Sequence, residues 1–223
     1  MIDYKKLNSL YEYVEGIKDS VLVDAPVFKV YTYKKKSLWL LVWSTVLSSR
    51  TTDKALLRVL PILEKNFSSP EDVIKCSLDD LENILKPLGF YKSKARMFWN
   101  FNYMIVNKFK GCVPRTLKDL TGLPGVGVKV ASIIMSELFG ENMIAVDVHV
   151  FRILNRVGVL NTKTPEQTWK ILSDPSVKLK KDIYLNLNKY LVAFGQVICK
   201  VKPKCNLCSF RYNCNYYKNV NKV

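Results

Sequence analysis

One lysine on a glycine turn, one aspartate eighteen residues later and four cysteines near the end of the chain are the residues whose types and spacing could do chemistry. The lysine is Lys129, in Leu123-Pro124-Gly125-Val126-Gly127-Val128-Lys129. Pro-Gly supplies the fixed φ and then the positive φ of a type II turn, and glycine lets a backbone come close to something else. Val130, Ile133, Ile134 and Leu138 follow at helical spacing. Free N–H groups at a helix start make an anion site, most simply for phosphate, so Gly125, Val126 and Gly127 are expected against a phosphate backbone. The positive end of the helix dipole disfavours a charged amine in that first turn, which would make Lys129 a better nucleophile. Asp147 stands before Val148-His149-Val150-Phe151-Arg152-Ile153-Leu154, where an N-cap belongs. A carboxylate there suits a group that stabilises developing positive charge. His149, the single histidine, reads as a satisfied structural residue.

The cysteines are Cys199, Cys205, Cys208 and Cys214, spaced C-x5-C-x2-C-x5-C. Four thiolates in sixteen residues can close on one metal centre, and spacing alone leaves structural zinc and an iron–sulfur cluster evenly matched. Lys200, Lys202, Lys204 and Arg211 lie between or beside them, and a basic loop anchored on a metal suits phosphate contact. Cys76 and Cys112 are isolated and read as buried or partly buried thiols.

Charge points the same way. In 223 residues Lys and Arg outnumber Asp and Glu by 35 to 19, a net +16, so the expected partner is a polyanion, most simply nucleic acid. A single histidine excludes a His-rich metal nuclease. No apolar run approaches the ~18 residues of a membrane span and no signal peptide is visible, so no membrane partner is expected. The expected location is the cytoplasm, at the nucleoid, in a prokaryote, or otherwise the nucleus; the chain is not expected to be secreted.

The elements that must position these groups read as helices almost throughout. They are expected over 3–18, 37–48, 53–67 with Asp53 as cap and Pro61 inside, 77–85, 92–109, 116–120, 127–139, 148–157, a helix opened by Thr164-Pro165-Glu166, and 182–197. The stretch 37–48 is apolar nearly all round and should be central. Tyr31-Thr32-Tyr33 is the best short strand candidate.

Taken together, the turn with its lysine, the later aspartate and the cysteine tail resemble the endonuclease III family, the helix–hairpin–helix DNA glycosylases of base excision repair. The resemblance runs from about residue 37 to 214. It also rests on Leu47-Ser48-Ser49-Arg50-Thr51-Thr52-Asp53, on Gly89-Phe90-Tyr91-Lys92-Ser93-Lys94-Ala95 and on Val146-Asp147-Val148-His149. It implies an all-α, two-lobed fold: a six-helix lobe over 29–141, and a second lobe from 1–28 plus 142–223 holding a 4Fe–4S cluster on the four cysteines (199–214). It implies a monomer that acts on double-stranded DNA carrying a damaged base or abasic site. Lys129 and Asp147 would be catalytic, removing an oxidised pyrimidine and cutting the abasic strand. Phe90 would fill the gap left by a flipped base and Arg50 would reach toward the unpaired partner. Lys92, Lys94 and Arg96 would add to the basic face, with Lys34-Lys35-Lys36 a less specific addition.

The chain departs from the family pattern at Arg50, where glutamine is usual, at Val128 and Val130 beside the lysine, at Val148 after the aspartate, and in having five rather than six residues between the first two cluster cysteines. A monofunctional mismatch glycosylase of the same superfamily and a non-catalytic DNA-binding module are the alternatives.

Overall fold

The computed structural model describes residues 1–220, and among them all regular structure is helical. The chain divides into two compact units. One is the continuous stretch Lys29–Gly140; the other joins Met1–Phe28 to the chain from Glu141 onward.

The continuous unit holds α2 (Pro26–Lys34, which begins before the boundary), α3 (Leu38–Leu47), α4 (Asp53–Asn66), α5 (Pro70–Lys75), α6 (Leu78–Leu85), α7 (Tyr91–Phe109), α8 (Leu117–Thr121) and α9 (Val128–Phe139). Its core is α3, buried at every position from Leu40 to Leu47, with α4, α7 and α9 packed around it. Trp43 is wholly buried, and its indole N–H donates to Asn102 Oδ1 at 2.8 Å, so the one polar atom of a large apolar residue is satisfied. Asn102 in turn donates to the Phe98 carbonyl at 2.8 Å. Hydroxyl caps fix where the helices begin: Ser37 accepts from the Leu40 N–H, Thr52 from Ala55, Ser77 from Asp80 and Thr116 from Asp119.

Two details differ from the expectations. Tyr31-Thr32-Tyr33 lies inside α2 rather than in a strand; β-branched and aromatic residues favour strands only where a sheet can receive them. The cap of α4 is Thr52, and Asp53 is the first helical residue, adding its charge to the positive end of the dipole. Helix α7 ends through two successive left-handed residues, Lys110 and Gly111.

Lys34 does not belong to a solvated basic run. It is 3% exposed, its Nζ lies 2.7 Å from Glu137 Oε2, and it sits 3.7 Å from the centre of the Tyr31 ring. Burial pushes its pKa below the ordinary lysine value and Glu137 opposes that shift; the charges of Lys129 and Lys35 add to the lowering.

The discontinuous unit holds α1 (Tyr4–Gly16), α10 (Val148–Val157), α11 (Pro165–Leu172), α12 (Lys181–Val197), two short 3-10 helices (Cys205–Leu207 and Ser209–Asn213) and α13 (Asn215–Val220). Thus a helix follows the cysteines, where the sequence suggested none. Residues 221–223, within the expected second lobe, lie outside the described residues. Helices α1 and α10 both pack on α12. Leu7, Leu10 and Val14 of α1 are fully buried, and Tyr13 meets Phe194 of α12 edge-on at 5.9 Å and Phe210 of the tail at 5.5 Å. Gly195 is a required glycine: a Cβ there would come within 2.3 Å of His149 Nδ1 on α10.

Glu137→Gln leaves the Lys34 ammonium buried without its counter-charge and should cost roughly 3–5 kcal/mol in urea unfolding. Replacing both partners, Lys34→Met with Glu137→Leu, should cost clearly less. Equal losses would show that the pair is not the source of the effect.

Candidate active site

The turn before Lys129 is built from the inside. The Val126 N–H closes on the Leu123 carbonyl at 3.1 Å, Gly125 has φ +77, and the Leu123 and Val126 side chains are buried. A Cβ on Gly125 would fall 2.3 Å from Met97 Sδ on α7, so any other residue would have to displace the Met97 side chain as well as hold a positive φ. Gly127 is different. It has no positive φ, and a Cβ there would meet nothing within 4 Å.

No side chain caps α9. Its first helical hydrogen bond runs from the Ala131 N–H to the Gly127 carbonyl, at 3.0 Å. Among the described residues the N–H groups from Gly127 to Val130 are therefore left for a ligand. This corrects the expectation for Val126, whose N–H is spent closing the turn and whose side chain is in the core; Gly125 and Gly127 are exposed. Lys129 is half-buried in the first turn of α9, and among the described residues no hydrogen bond or ion pair holds its amine. Val128 beside it is exposed, and Val130 is buried.

Asp147 lies in the other unit and caps α10. One oxygen, Oδ1, accepts from both the His149 and Val150 N–H groups, at 2.8 and 2.9 Å. The carboxylate is thereby fixed in direction through one oxygen, leaving Oδ2 for other work. His149 faces Arg152, with Nδ1 3.0 Å from Nη2, and Val148 is 62% exposed.

Helix α10 also grips the cysteine tail. Arg152 donates from Nη2 to the Cys199 carbonyl at 2.9 Å. Arg156, one turn on, donates to the Lys200 and Val201 carbonyls at 2.6 and 2.7 Å and to Cys199 Sγ at 3.6 Å. Cys214 Sγ lies 3.4 Å from the Arg156 carbonyl, and the Tyr13 hydroxyl donates to Cys208 Sγ at 3.8 Å. Among the described residues no three His, Cys, Asp or Glu side chains converge closely enough for a single metal ion. The four thiols nevertheless feel one another: Cys214 acts electrostatically on Cys199, Cys205 and Cys208, and Cys199 on Cys208. Burial raises the pKa of these three thiols, and Arg156 opposes this at Cys199. Lys204 is exposed before the first 3-10 helix.

Arg50 and Phe90 are brought together. Both are left-handed, at φ 51 and 58, and the Arg50 guanidinium lies 5.6 Å from the centre of the Phe90 ring. Phe90 stands at the start of α7 with 66% of its surface exposed, an unusual place for an aromatic residue. Lys92 and Arg96 are exposed, but Lys94 is buried and contributes no surface charge, because its amine is drawn inward to the Leu47 carbonyl at 3.0 Å. Of the remaining cysteines, Cys112 is exposed rather than buried. Sequence reasoning placed Lys94 on the basic face and missed the roles of Arg152 and Arg156. The arginines left a trace, as two cations four residues apart on one helix face.

Comparisons with known proteins identify the family. The family model described as HhH-GPD superfamily base excision DNA repair protein matches residues 43–176. Endonuclease III of Thermotoga maritima is 36% identical over 180 residues, 80% of this chain and 83% of its own. Endonuclease III of Bacillus subtilis is 33% identical over 169 residues, 75% of this chain and 76% of its own. The solved structure of a non-covalent endonuclease III–DNA complex matches with a TM-score of 0.81 at 26% identity, covering 99% of each chain.

The two turn glycines should separate on substitution. Gly125→Ala, with its positive φ and its collision with Met97, should lose about 1–2 kcal/mol or more in thermal unfolding. Gly127→Ala should stay within about 1 kcal/mol of the parent.

Proposed function

The chain belongs to the HhH-GPD superfamily of base excision DNA repair proteins and, within it, to the endonuclease III family, and on that footing we propose that it removes oxidised pyrimidines from double-stranded DNA and cuts the abasic strand through a Schiff base on Lys129. It is a DNA glycosylase of base excision repair. The observation that carries the finer reading is the amine of Lys129, set by a Pro-Gly turn in the first turn of a helix whose N–H groups are left open, with no hydrogen-bond or ion-pair partner among the described residues.

A base stacked in a duplex is out of reach, so the nucleotide must first leave the stack. The open N–H groups around Gly125 and Gly127 hold a backbone phosphate and set the register of the strand. The neutral Lys129 amine attacks C1′. The bond from C1′ to the base nitrogen breaks, the base departs with its electron pair and takes up a proton, and the sugar ring opens to leave the lysine joined to C1′ as an iminium ion. Loss of a C2′ proton then expels the 3′ phosphate, which breaks the strand. Water hydrolyses the remaining imine and returns the amine. Asp147, steered by its cap, supplies the negative charge that stabilises the cationic sugar and accepts a proton from the attacking amine. A monofunctional glycosylase has no need of a lysine placed this way.

Cys199, Cys205, Cys208 and Cys214 would hold a 4Fe–4S cluster. When bound, such a cluster supplies a rigid four-armed link between these thiols. Arg156 and Tyr13 already direct donors at two of the sulfurs, as suits thiolates that carry charge into a cluster. The basic loop between the ligands, Lys204 included, then lies on the phosphate backbone. A monomer working at the cytoplasmic nucleoid, or in a nucleus, completes the reading; the surplus of 35 basic over 19 acidic side chains supports the polyanionic partner.

Borohydride reduction in the presence of abasic-site DNA should give a covalent adduct that Lys129→Ala abolishes; an adduct that survives that substitution would sink the Schiff-base reading. Asp147→Asn keeps a capping oxygen and should melt like the parent, yet lose roughly 10²-fold or more in base release. Protein purified without oxygen should be brown and carry about four iron atoms and as many labile sulfides per chain, with Cys205→Ser losing both. Stoichiometric zinc in place of iron would contradict the cluster.

A further inference from the structure

Beneath the Arg50–Phe90 pair lies a cation that the chemistry above does not use. Lys94 is 7% exposed. Its Nζ donates to the carbonyl of Leu47, the last residue of α3, at 3.0 Å and to the Thr51 hydroxyl. Thr51 donates that hydroxyl to the same carbonyl at 2.9 Å, and its N–H closes on the Ser48 carbonyl at 3.1 Å. The Lys94 N–H donates to the Phe90 carbonyl at 2.9 Å. That last bond is the ordinary first bond of α7, so it is the amine that ties the first turn of α7, opened by Phe90, to the end of α3 and the loop that carries Arg50. The loops touch elsewhere as well: a Cβ on Gly89 would lie 3.6 Å from the Arg50 carbonyl.

Two facts make this tie more than ordinary packing. Arg50 and Phe90 both hold left-handed backbone, which a residue with a side chain keeps only where its surroundings enforce it. The ammonium is also uncompensated: burial alone lowers its pKa, to about 8, with no carboxylate acting on it. A buried charge without a counter-ion costs stability, so fold stability alone does not account for a lysine here.

We propose that Lys94 is a positioning residue that locks Arg50 and Phe90 into one preformed probe for the space a departed nucleotide leaves in a duplex. A probe held in shape before contact loses less conformational freedom on insertion, and that saving appears only where an opposite strand encloses the gap. The inference rests on the DNA-repair reading above, but it concerns discrimination between duplex and single strand rather than the reaction at Lys129.

The test compares one abasic-site oligonucleotide, alone and in duplex, by the rate of borohydride trapping and by fluorescence anisotropy. Lys94→Met and, from the other end of the tie, Thr51→Val should each lower the duplex-to-single-strand ratio about tenfold, mainly through the duplex. Lys94→Met should melt no lower than the parent, since it removes a buried charge. Combined with Phe90→Ala, it should lose little beyond Phe90→Ala alone, because both break one device. An unchanged ratio, an equal fall on both substrates, or full additivity with Phe90→Ala would overturn the proposal. A parent protein that traps neither substrate would overturn the lyase reading instead, and the anisotropy ratio would still decide on Lys94.

Discussion

A helix can begin only where its first N–H groups are satisfied or can be left open. That constraint organises this molecule. Ser37, Thr52, Ser77, Thr116 and Thr164 close the starts of α3, α4, α6, α8 and α11 with their own side chains, and these helices serve the framework. At α9 no side chain intervenes, because Gly127 has none to offer. At α10 the cap is a carboxylate that spends one oxygen on two N–H groups. At α7 the cap position is a left-handed phenylalanine turned to solvent. Lys129, Asp147 and Phe90 all stand at starts of these other kinds, although α12 behind Lys180 likewise has no side-chain cap and α1 is likewise capped by a carboxylate, Asp3.

The second organising feature is the reach of α10. Its N-terminus orients Asp147, and its two arginines seize the backbone around Cys199. These are charge-assisted bonds to carbonyls, stronger than neutral ones and directional. The aspartate and the cysteine tail are consequently parts of one rigid assembly, and Gly195 lets α12 close against the same helix at His149. A metal centre on the tail would therefore stiffen more than the tail itself.

What could be read in the sequence was what local chemistry decides. The all-helical class, the Asp147 cap and the turn at Pro124-Gly125 each follow from side chains a few residues apart. Helix α2 was not legible, because Tyr31-Thr32-Tyr33 carries strand propensity and tertiary packing overrode it. Val126 was misjudged because its N–H could be assigned only once the turn was closed. The lysines misled most. Lys34 and Lys94 look like members of solvated basic runs, yet one lies against Glu137 and the other under Thr51, partners 103 and 43 residues away. Charge counting gives the sum over a chain; it cannot say which cations have been withdrawn from the surface. Nor could spacing show that Arg50 and Phe90, forty residues apart, would meet.

The discontinuous unit has a consequence for synthesis. Tyr13, near the start of the chain, meets Phe210 and donates to Cys208, and the N–H of Asp3 bonds to the Val159 carbonyl. Helix α1 can therefore meet its neighbours only after α12 and the cysteine tail have been made, whereas Lys29–Gly140, the stretch that bears Lys129, is finished much earlier. Nascent or prematurely terminated chains would carry Lys129 without Asp147 and the arginine framework of α10. Order of emergence thus separates the folding of the stretch that bears the lysine from that of the unit that bears the aspartate.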